Sequence, residues 1–224
     1  MQKIIRAIQD PQYAAYVLFA RYMGGLPGNR IFAHSAEYRS DSENGRYAAA
    51  VTRSTRSQRA FENFKRGHAY REILEHVSQP QGLQYLVSLK ARDDGILERG
   101  LETVILSDAV GNPVKYRYDR VPVPLSPTTL RFLKVTSDIG IMFGDNLGNV
   151  AEIGGGYGGQ ALVNDQILTV RLARMFDLPF VNELVQRYLN SFLLNGAYVT
   201  TSINQELPRD YDLVISNYAF SELP

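Results

Sequence analysis

The sequence lacks cysteine and any long apolar run, and each absence removes a class of protein. Without cysteine among its 224 residues, the chain forms neither a disulfide framework nor a thiolate metal site. No uninterrupted apolar stretch approaches the ~18 residues that a membrane-spanning helix needs. The short apolar run at 13–20 is bounded by Arg21 and lacks a convincing cleavage site. We therefore predict a helical arm at the N-terminus, no membrane insertion and a cytoplasmic protein.

Histidine is scarce, and no cluster of metal ligands is visible. The three histidines, His34, His68 and His76, all lie in the N-terminal part. No group of acidic or histidine residues has the spacing of a metal site, so we predict no metal. No recognition motif or interleaved aromatic pattern indicates nucleic acid as a partner. The remaining composition, 45% hydrophobic and 21% charged, is ordinary for a globular chain.

Positive charge is concentrated in the first part of the chain. Residues 151–224 carry four arginines against eight acidic residues, so the first 150 residues hold a net charge of +5. Within them, the segment 46–71 has seven basic residues against Glu62 alone. This segment indicates either a site for phosphate groups of a substrate or anionic surface, or a solvated helix face with counter-ions elsewhere.

Residues 1–125 are predicted to form a mainly helical cap region. Helical periodicity covers roughly 3–21, 58–78 and 82–92. Two β-rich runs flank a turn-forming stretch, which predicts a β-hairpin near 101–118. The segment 121–127 has the alternating prolines of a linker.

Residues 126–224 are predicted to form an open, largely parallel sheet. Ser126 followed by Pro127 has the pattern of a helix N-cap and first turn. The order β-α-β-α-β-β with short connections is typical of an α/β, Rossmann-like fold. The predicted strands are 149–153, a second one that ends at 174–177, 197–203 and 211–217, with helices at 160–172 and 180–196.

A glycine-rich stretch, IGGGYGG, follows the first predicted strand directly and fits two cofactor patterns. Gly154, Gly156 and Gly159 have the spacing of the dinucleotide fingerprint, in which a helix N-terminus binds a pyrophosphate. Glu152, together with Gly154, Gly156 and Gly158, also fits the first motif of S-adenosylmethionine-dependent methyltransferases. The glycine spacing alone does not decide between these two cofactors.

Glu152 distinguishes the two patterns. At the end of the first strand, a carboxylate suits the cationic amino-acid end of S-adenosylmethionine, but it would sit badly beside a pyrophosphate. Asp177, at the end of the second strand, can accept hydrogen bonds from ribose hydroxyls under either pattern. The residues therefore favour a methyltransferase, with an NAD(P)-dependent oxidoreductase as the alternative.

Several stretches resemble the sugar O-methyltransferase family of bacteria. They are YDLVISNYAFSEL at 211–223, VAEIGGGYGGQ at 150–160, FDLP at 176–179, SPTTLRF at 126–132 and DAVGNP at 108–113. The resemblance covers roughly residues 60–224. It implies an S-adenosylmethionine-binding domain over 126–224 and methyl transfer to a sugar hydroxyl of a surface polysaccharide, so the expected partner is a sugar or glycan acceptor.

The resemblance also implies a set of site residues. The cofactor would contact Glu152, Gly154, Gly156, Gly158 and Asp177, and the cleft beyond strand four would be lined by Asn217, Tyr218, Ser221 and Glu222. We place Asn217 among the cofactor contacts. A sugar hydroxyl is a poor nucleophile, so a general base is expected, and Glu222 beside Ser221 is the nearest candidate. The alternative is that Ser221 and Glu222 only cap a helix.

Three other residues each have two interpretations. Tyr157 either stacks beside the cofactor or fills space beneath the glycine loop. Arg131 either meets the methionine carboxylate or is a surface arginine. His76, like His68, is either a surface or packing residue of a helix or, since the cap region would cover the acceptor pocket, the base.

The length of the chain carries a further expectation. A methyltransferase sheet of this family has seven strands, whereas the sequence stops at Pro224, just after the predicted fourth. We therefore expect an incomplete sheet in which the edge of strand four favours self-association. A non-catalytic remnant that only binds or packs against a partner is the third functional class.

Overall fold

The computed structural model describes residues 45–92, 94–202, 210–217 and 219. The predicted helix at 3–21 and His34 lie outside these residues. So do three candidates for the cleft, Tyr218, Ser221 and Glu222.

Six helices precede the sheet in the described part of the chain. They are α1 (Gly45–Arg56), α2 (Gln58–Phe61), α3 (His68–Ile73), α4 (Gln79–Arg92), α5 (Ile96–Ala109) and α6 (Pro127–Phe143), with a 3-10 turn at Phe64–Arg66 between α2 and α3. The prediction of one helix over 58–78 is wrong, because Gly67 adopts an extended conformation and separates the 3-10 turn from α3. The helix predicted at 82–92 is confirmed and begins at Gln79, since Pro80 lies in its first turn, where proline is tolerated.

The predicted hairpin near 101–118 is wrong. Its first half belongs to α5, in which Ile96, Gly100, Val104 and Ser107 are buried at intervals of three or four residues. This helical spacing overrides the β propensity of the run, because packing against a neighbouring helix decides the structure. The strand-like pairing described in this region is one antiparallel bridge, Tyr116 to Leu125, which ends inside the predicted linker.

The predicted parallel sheet is confirmed. Its strands are β1 (Asn146–Ile153), β2 (Thr169–Asp177), β3 (Ala197–Ser202) and β4 (Leu213–Ser216), all parallel in the order β3-β2-β1-β4, with helices α7 (Gly159–Ile167) and α8 (Pro179–Leu189) between the first three. The predicted cap is also confirmed, since the Ser126 hydroxyl accepts a hydrogen bond from the Thr129 amide at 3.1 Å.

Two helix ends differ from the prediction. Helix α7 stops at Ile167, because 169–172 continue as β2 and pair with β1. Helix α8 stops at Leu189, before the predicted end at 196, and Leu193 beyond it is 92% exposed. No helix of the described part is long and apolar enough to cross a membrane.

The helices before the sheet and helix α8 share the larger of two hydrophobic clusters, and the second cluster contains most of the buried strand residues. The largest cluster of buried apolar side chains runs from Tyr47 and Val51 on α1 through Val104 on α5 to Leu133 on α6 and Leu184 on α8. The glycine-rich connection between β1 and α7 lies at this junction, since its Tyr157 belongs to the same cluster. The cap region therefore contacts the candidate site directly.

Candidate functional site

The glycine loop, residues 154–158, needs its glycines for conformation. Gly154, Gly156 and Gly158 have φ angles of +74°, +58° and +88°, a region that costs other residues about 1–2 kcal/mol each. The Gly154 amide donates a hydrogen bond to the Phe176 carbonyl at 2.9 Å, which ties the loop to the end of β2. The alternating glycine spacing is therefore required by the backbone itself.

Gly159 is required for packing. A Cβ atom at this position would collide with the rings of Phe132 and Tyr157, although the residue is not in the left-handed region. In the dinucleotide fingerprint the third glycine has this role of close packing. The loop thus satisfies both glycine patterns, each for a physical reason.

The loop lies where the order of the strands in the sheet reverses. From β1 the chain proceeds outward through β2 and β3, whereas β4 lies on the other side of β1. In open parallel sheets, ligands bind outside the carboxyl ends of the strands at such a reversal. Gly154 at the end of β1 faces Ala219, which follows β4. The region outside these two strand ends, which we call the crevice, is the candidate site.

Glu152 lies inside this crevice, on β1 beneath the loop. Its side chain is 3% exposed, and its strand neighbours are the apolar Met175 on β2 and Ile215 on β4. Its carboxyl carbon lies 3.9 Å from where a side chain on Gly155 would begin. Among the described residues, none donates a hydrogen bond to this carboxyl group. Burial, and secondarily the charge of Asp177, raise the pKa of Glu152 to about 8.

Asp177 holds the loop from the end of β2. One carboxylate oxygen accepts a hydrogen bond from the Gly156 amide at 3.2 Å, and the other accepts one from the Leu178 amide at 2.8 Å. These two bonds fix the loop against the start of α8. The predicted contact with ribose hydroxyls stays a prediction, and Asp177 has a structural role in addition.

Asn217 lies at the end of β4, beside the helix that follows the loop. Its side-chain amide approaches the Gln160 side-chain oxygen on α7 at 3.5 Å. Its own side-chain oxygen is buried, and no described residue donates a hydrogen bond to it. A buried acceptor of this kind is available to a ligand donor.

Tyr157 fills space beneath the loop. Its side chain is buried, its hydroxyl donates to a Glu75 carboxylate oxygen at 2.9 Å, and its ring packs edge-on against Phe64 and Tyr188. Glu75 follows Leu74, which lies 3.2 Å from where a side chain on Gly156 would begin. Tyr157 therefore joins the loop to the cap region, and its predicted contact with the cofactor stays a prediction.

The Tyr157→Phe substitution tests this structural role. We expect the free energy of unfolding to fall by about 1–3 kcal/mol, because the Glu75 carboxyl loses a hydrogen-bond donor away from bulk water. The matched control is Tyr198→Phe, which removes an exposed hydroxyl bonded to Asn190 at 2.6 Å and should cost less. Urea titration measures both. If the Tyr157 variant kept full stability and lost ligand binding, the hydroxyl would be a ligand contact.

Arg131 is buried, so its interpretation as a surface arginine is wrong. It lies on α6, 6% exposed, with its guanidinium 5.3 Å from the centre of the Phe132 ring. Burial first, and then the Arg131 charge, lower the pKa of His76. The predicted contact of Arg131 with a ligand carboxylate stays a prediction.

His76 is held next to the residues that contact the loop. It follows Leu74 and Glu75, and its Nδ1 lies 3.0 Å from the Ile73 carbonyl. A carbonyl only accepts, so Nδ1 carries the hydrogen in this bond and Nε2 is the acceptor nitrogen of the neutral ring. His68, in contrast, is exposed and pairs with Glu72 on the helix surface at 3.4 Å.

Lys65 was missed because it lies in the basic segment 46–71, which was interpreted as a single surface. The side chain is 1% exposed and donates to the Ser107 carbonyl at 2.8 Å. Its ammonium lies 4.6 Å from the centre of the Tyr157 ring and 4.9 Å from that of Tyr188. The other basic residues of the segment are exposed. No sequence pattern marks this lysine as the buried one.

No cluster of three or more potential metal ligands occurs among the described residues. Comparison with known proteins gives no match, since no protein-family model, no curated protein and no solved structure matches this chain. The resemblance to sugar O-methyltransferases therefore rests on the sequence motifs alone.

Proposed function

We propose that this chain binds S-adenosylmethionine at the glycine loop and takes part in methyl transfer to a sugar hydroxyl. The observation that carries the proposal is the Glu152 carboxyl group, buried under the loop at the carboxyl end of β1 without a described hydrogen-bond donor. A buried acidic group without a partner suits a ligand that brings a positive charge. The ammonium and sulfonium groups of S-adenosylmethionine are such charges.

The same carboxyl group counts against a dinucleotide. A pyrophosphate at the N-terminus of α7 would bring negative charge close to Glu152 and Asp177, at the end of the neighbouring strand. The close packing of Gly159 favours the dinucleotide pattern and makes an NAD(P)-dependent oxidoreductase the second candidate. We favour the first candidate, because a ligand cation can form an ion pair with the Glu152 carboxyl group, whereas a pyrophosphate gains no such pairing there.

Methyl transfer requires positioning and removal of one proton. S-adenosylmethionine supplies an activated methyl group, so the residues of the chain need only align the acceptor oxygen and accept its proton. Within the described residues, His76 is a candidate base, and Glu222 stays a candidate from the sequence. The sugar itself is inferred from the resemblance, and the exposed arginines of α1 support an acceptor that carries negative charge, such as a phosphate-linked glycan.

Isothermal titration with S-adenosylhomocysteine and with NAD tests the proposal. We expect S-adenosylhomocysteine to bind and NAD not to bind. Glu152→Ala and Asp177→Ala should each weaken binding by about 1–3 kcal/mol, the usual cost of a lost hydrogen bond to a charged group. Glu183→Ala, which removes an exposed carboxylate from α8, is the matched control and should leave binding unchanged. Binding of NAD alone would replace the methyltransferase by the oxidoreductase.

A further inference from the structure

We propose that Glu152 holds a proton in the empty site and that the cationic end of the bound ligand displaces this proton into solvent. The inference rests on the proposed function, since it needs a ligand whose ammonium group reaches Glu152. It makes ligand binding depend on pH through the ionisation of the Glu152 side chain. Three structural observations support it.

The first is the apolar surrounding of the carboxyl group. Glu152 lies between Met175 on β2 and Ile215 on β4, its partners on the two neighbouring strands. The loop above it contributes the glycine backbone at Gly155. No described residue donates a hydrogen bond to the carboxyl group, and no described cation lies against it. An ionised carboxylate in this place would lose its hydration without compensation, so the neutral acid is favoured.

The second observation is the neighbouring Asp177, the charged group that faces Glu152 from β2. It accepts hydrogen bonds from the amides of Gly156 and Leu178, whereas no described residue donates to Glu152. Because two nearby carboxylates do not both ionise readily, the proton is favoured on the one without donors. Burial and this charge together raise the pKa of Glu152 to about 8.

The third observation is the position of the carboxyl group under the loop, at the reversal point of the sheet. An ammonium group that enters the crevice can donate to Glu152 only if the carboxyl oxygens are free to accept. Ionisation then becomes favourable, because the two opposite charges lie together away from bulk water. In this step the O–H bond of Glu152 breaks, the proton passes to solvent or buffer, and the carboxylate accepts a hydrogen bond from the ligand ammonium.

Isothermal titration at pH 7 in two buffers counts the released protons. The probe is S-adenosylhomocysteine, titrated in phosphate and in Tris, whose ionisation enthalpies differ strongly. With a pKa of about 8 before binding, about 0.9 proton should be released per ligand bound, so the two observed enthalpies should differ accordingly. The affinity should rise about ninefold between pH 6 and pH 7, because the unbound site loses its competing proton over this range.

Two variants locate the proton. Glu152→Gln keeps the shape of the neutral acid, so it should fold, bind more weakly, and release no proton at any pH. Glu183→Gln, on the exposed face of α8, should match the unaltered chain in both affinity and proton count.

The outcomes separate this inference from the proposed function. Binding of S-adenosylhomocysteine without proton release, or with equal release in the Glu152→Gln variant, would overturn the inference and leave the proposed function standing. A chain that binds no S-adenosylhomocysteine between pH 6 and pH 9 would overturn both.

Discussion

Replacing Lys65 by alanine is expected to lower the free energy of unfolding by about 3–5 kcal/mol. Lys65 is one of the largest fully buried side chains, so its removal leaves a cavity between the cap region and the glycine loop. Its ammonium donates to the Ser107 carbonyl, in the last turn of α5, where carbonyl groups lack partners within the helix. The aromatic faces of Tyr157 and Tyr188 add attraction for the charge.

Two further variants divide this effect into its parts. Lys65→Met retains most of the packing volume and removes the charge, so its difference from the alanine variant measures the cavity. Lys90→Ala is the matched control, because Lys90 also donates to a backbone carbonyl, that of Asp119 at 3.3 Å, but from an exposed position. We expect the control to cost less than about 1 kcal/mol. Equal effects of the two alanine substitutions in urea titration would contradict a buried ammonium at Lys65.

The pH dependence of the unfolding free energy in the alkaline range tests the burial of Lys65 independently. Burial lowers the pKa of Lys65 from 10.5 to about 8, so the unfolded chain binds more protons between these values. The contribution of Lys65 to the unfolding free energy should therefore rise as pH increases from 8 to 10. Above pH 10 the tyrosines of the unfolded chain ionise first, because burial raises the pKa values of Tyr157 and Tyr188, and this opposes the rise. The Lys65→Met variant should lack the increase.

The strands and the glycine loop could be predicted because their requirements are local. A glycine at each left-handed position, Gly154, Gly156 and Gly158, is visible in the sequence, and so is the cap that Ser126 makes for α6. Glu152 and Asp177 were each expected near the end of a strand, and the carboxyl ends of the parallel strands β1 and β2 share one edge of the sheet. These inferences need only backbone geometry and strand order.

The errors arose where distant packing decides the structure. The run at 101–107 has β-branched residues that favour a strand, yet contact between Gly100 and Leu133 makes it helical. Lys65 has the charge of its exposed neighbours, and its burial depends on distant groups, the Ser107 carbonyl and the rings of Tyr157 and Tyr188. The two interpretations of Tyr157 stayed open because the sequence does not indicate which side of the loop it occupies. In each case the missing information is a contact between residues far apart in the chain.

Replacing Glu152 by glutamine is expected to stabilise the protein at alkaline pH and to weaken ligand binding in the same variant. The pKa of Glu152 is about 8 in the folded protein against 4.5 as the ordinary value, so the folded state binds more protons between pH 4.5 and pH 8. The stability that this raised pKa contributes is complete below pH 4.5 and is lost as pH rises through 8. Glutamine does not ionise, so the variant retains its stability over this range.

The difference between the two proteins should therefore grow with pH. Near pH 5 their unfolding free energies should agree within about 1 kcal/mol, whereas at pH 8.5 the Glu152→Gln variant should be more stable by roughly 3–5 kcal/mol. Asp108 and Glu75 also have raised pKa values, but both proteins contain them, so their contributions cancel in the difference. Urea titrations from pH 5 to pH 9 measure it, with Glu183→Gln as the exposed control. If the variant and the unaltered chain had equal unfolding free energies at every pH, the Glu152 carboxyl would be in contact with water in the folded protein. A variant that gains stability while it loses affinity for S-adenosylhomocysteine would identify Glu152 as a residue whose buried carboxyl group serves binding at the expense of stability.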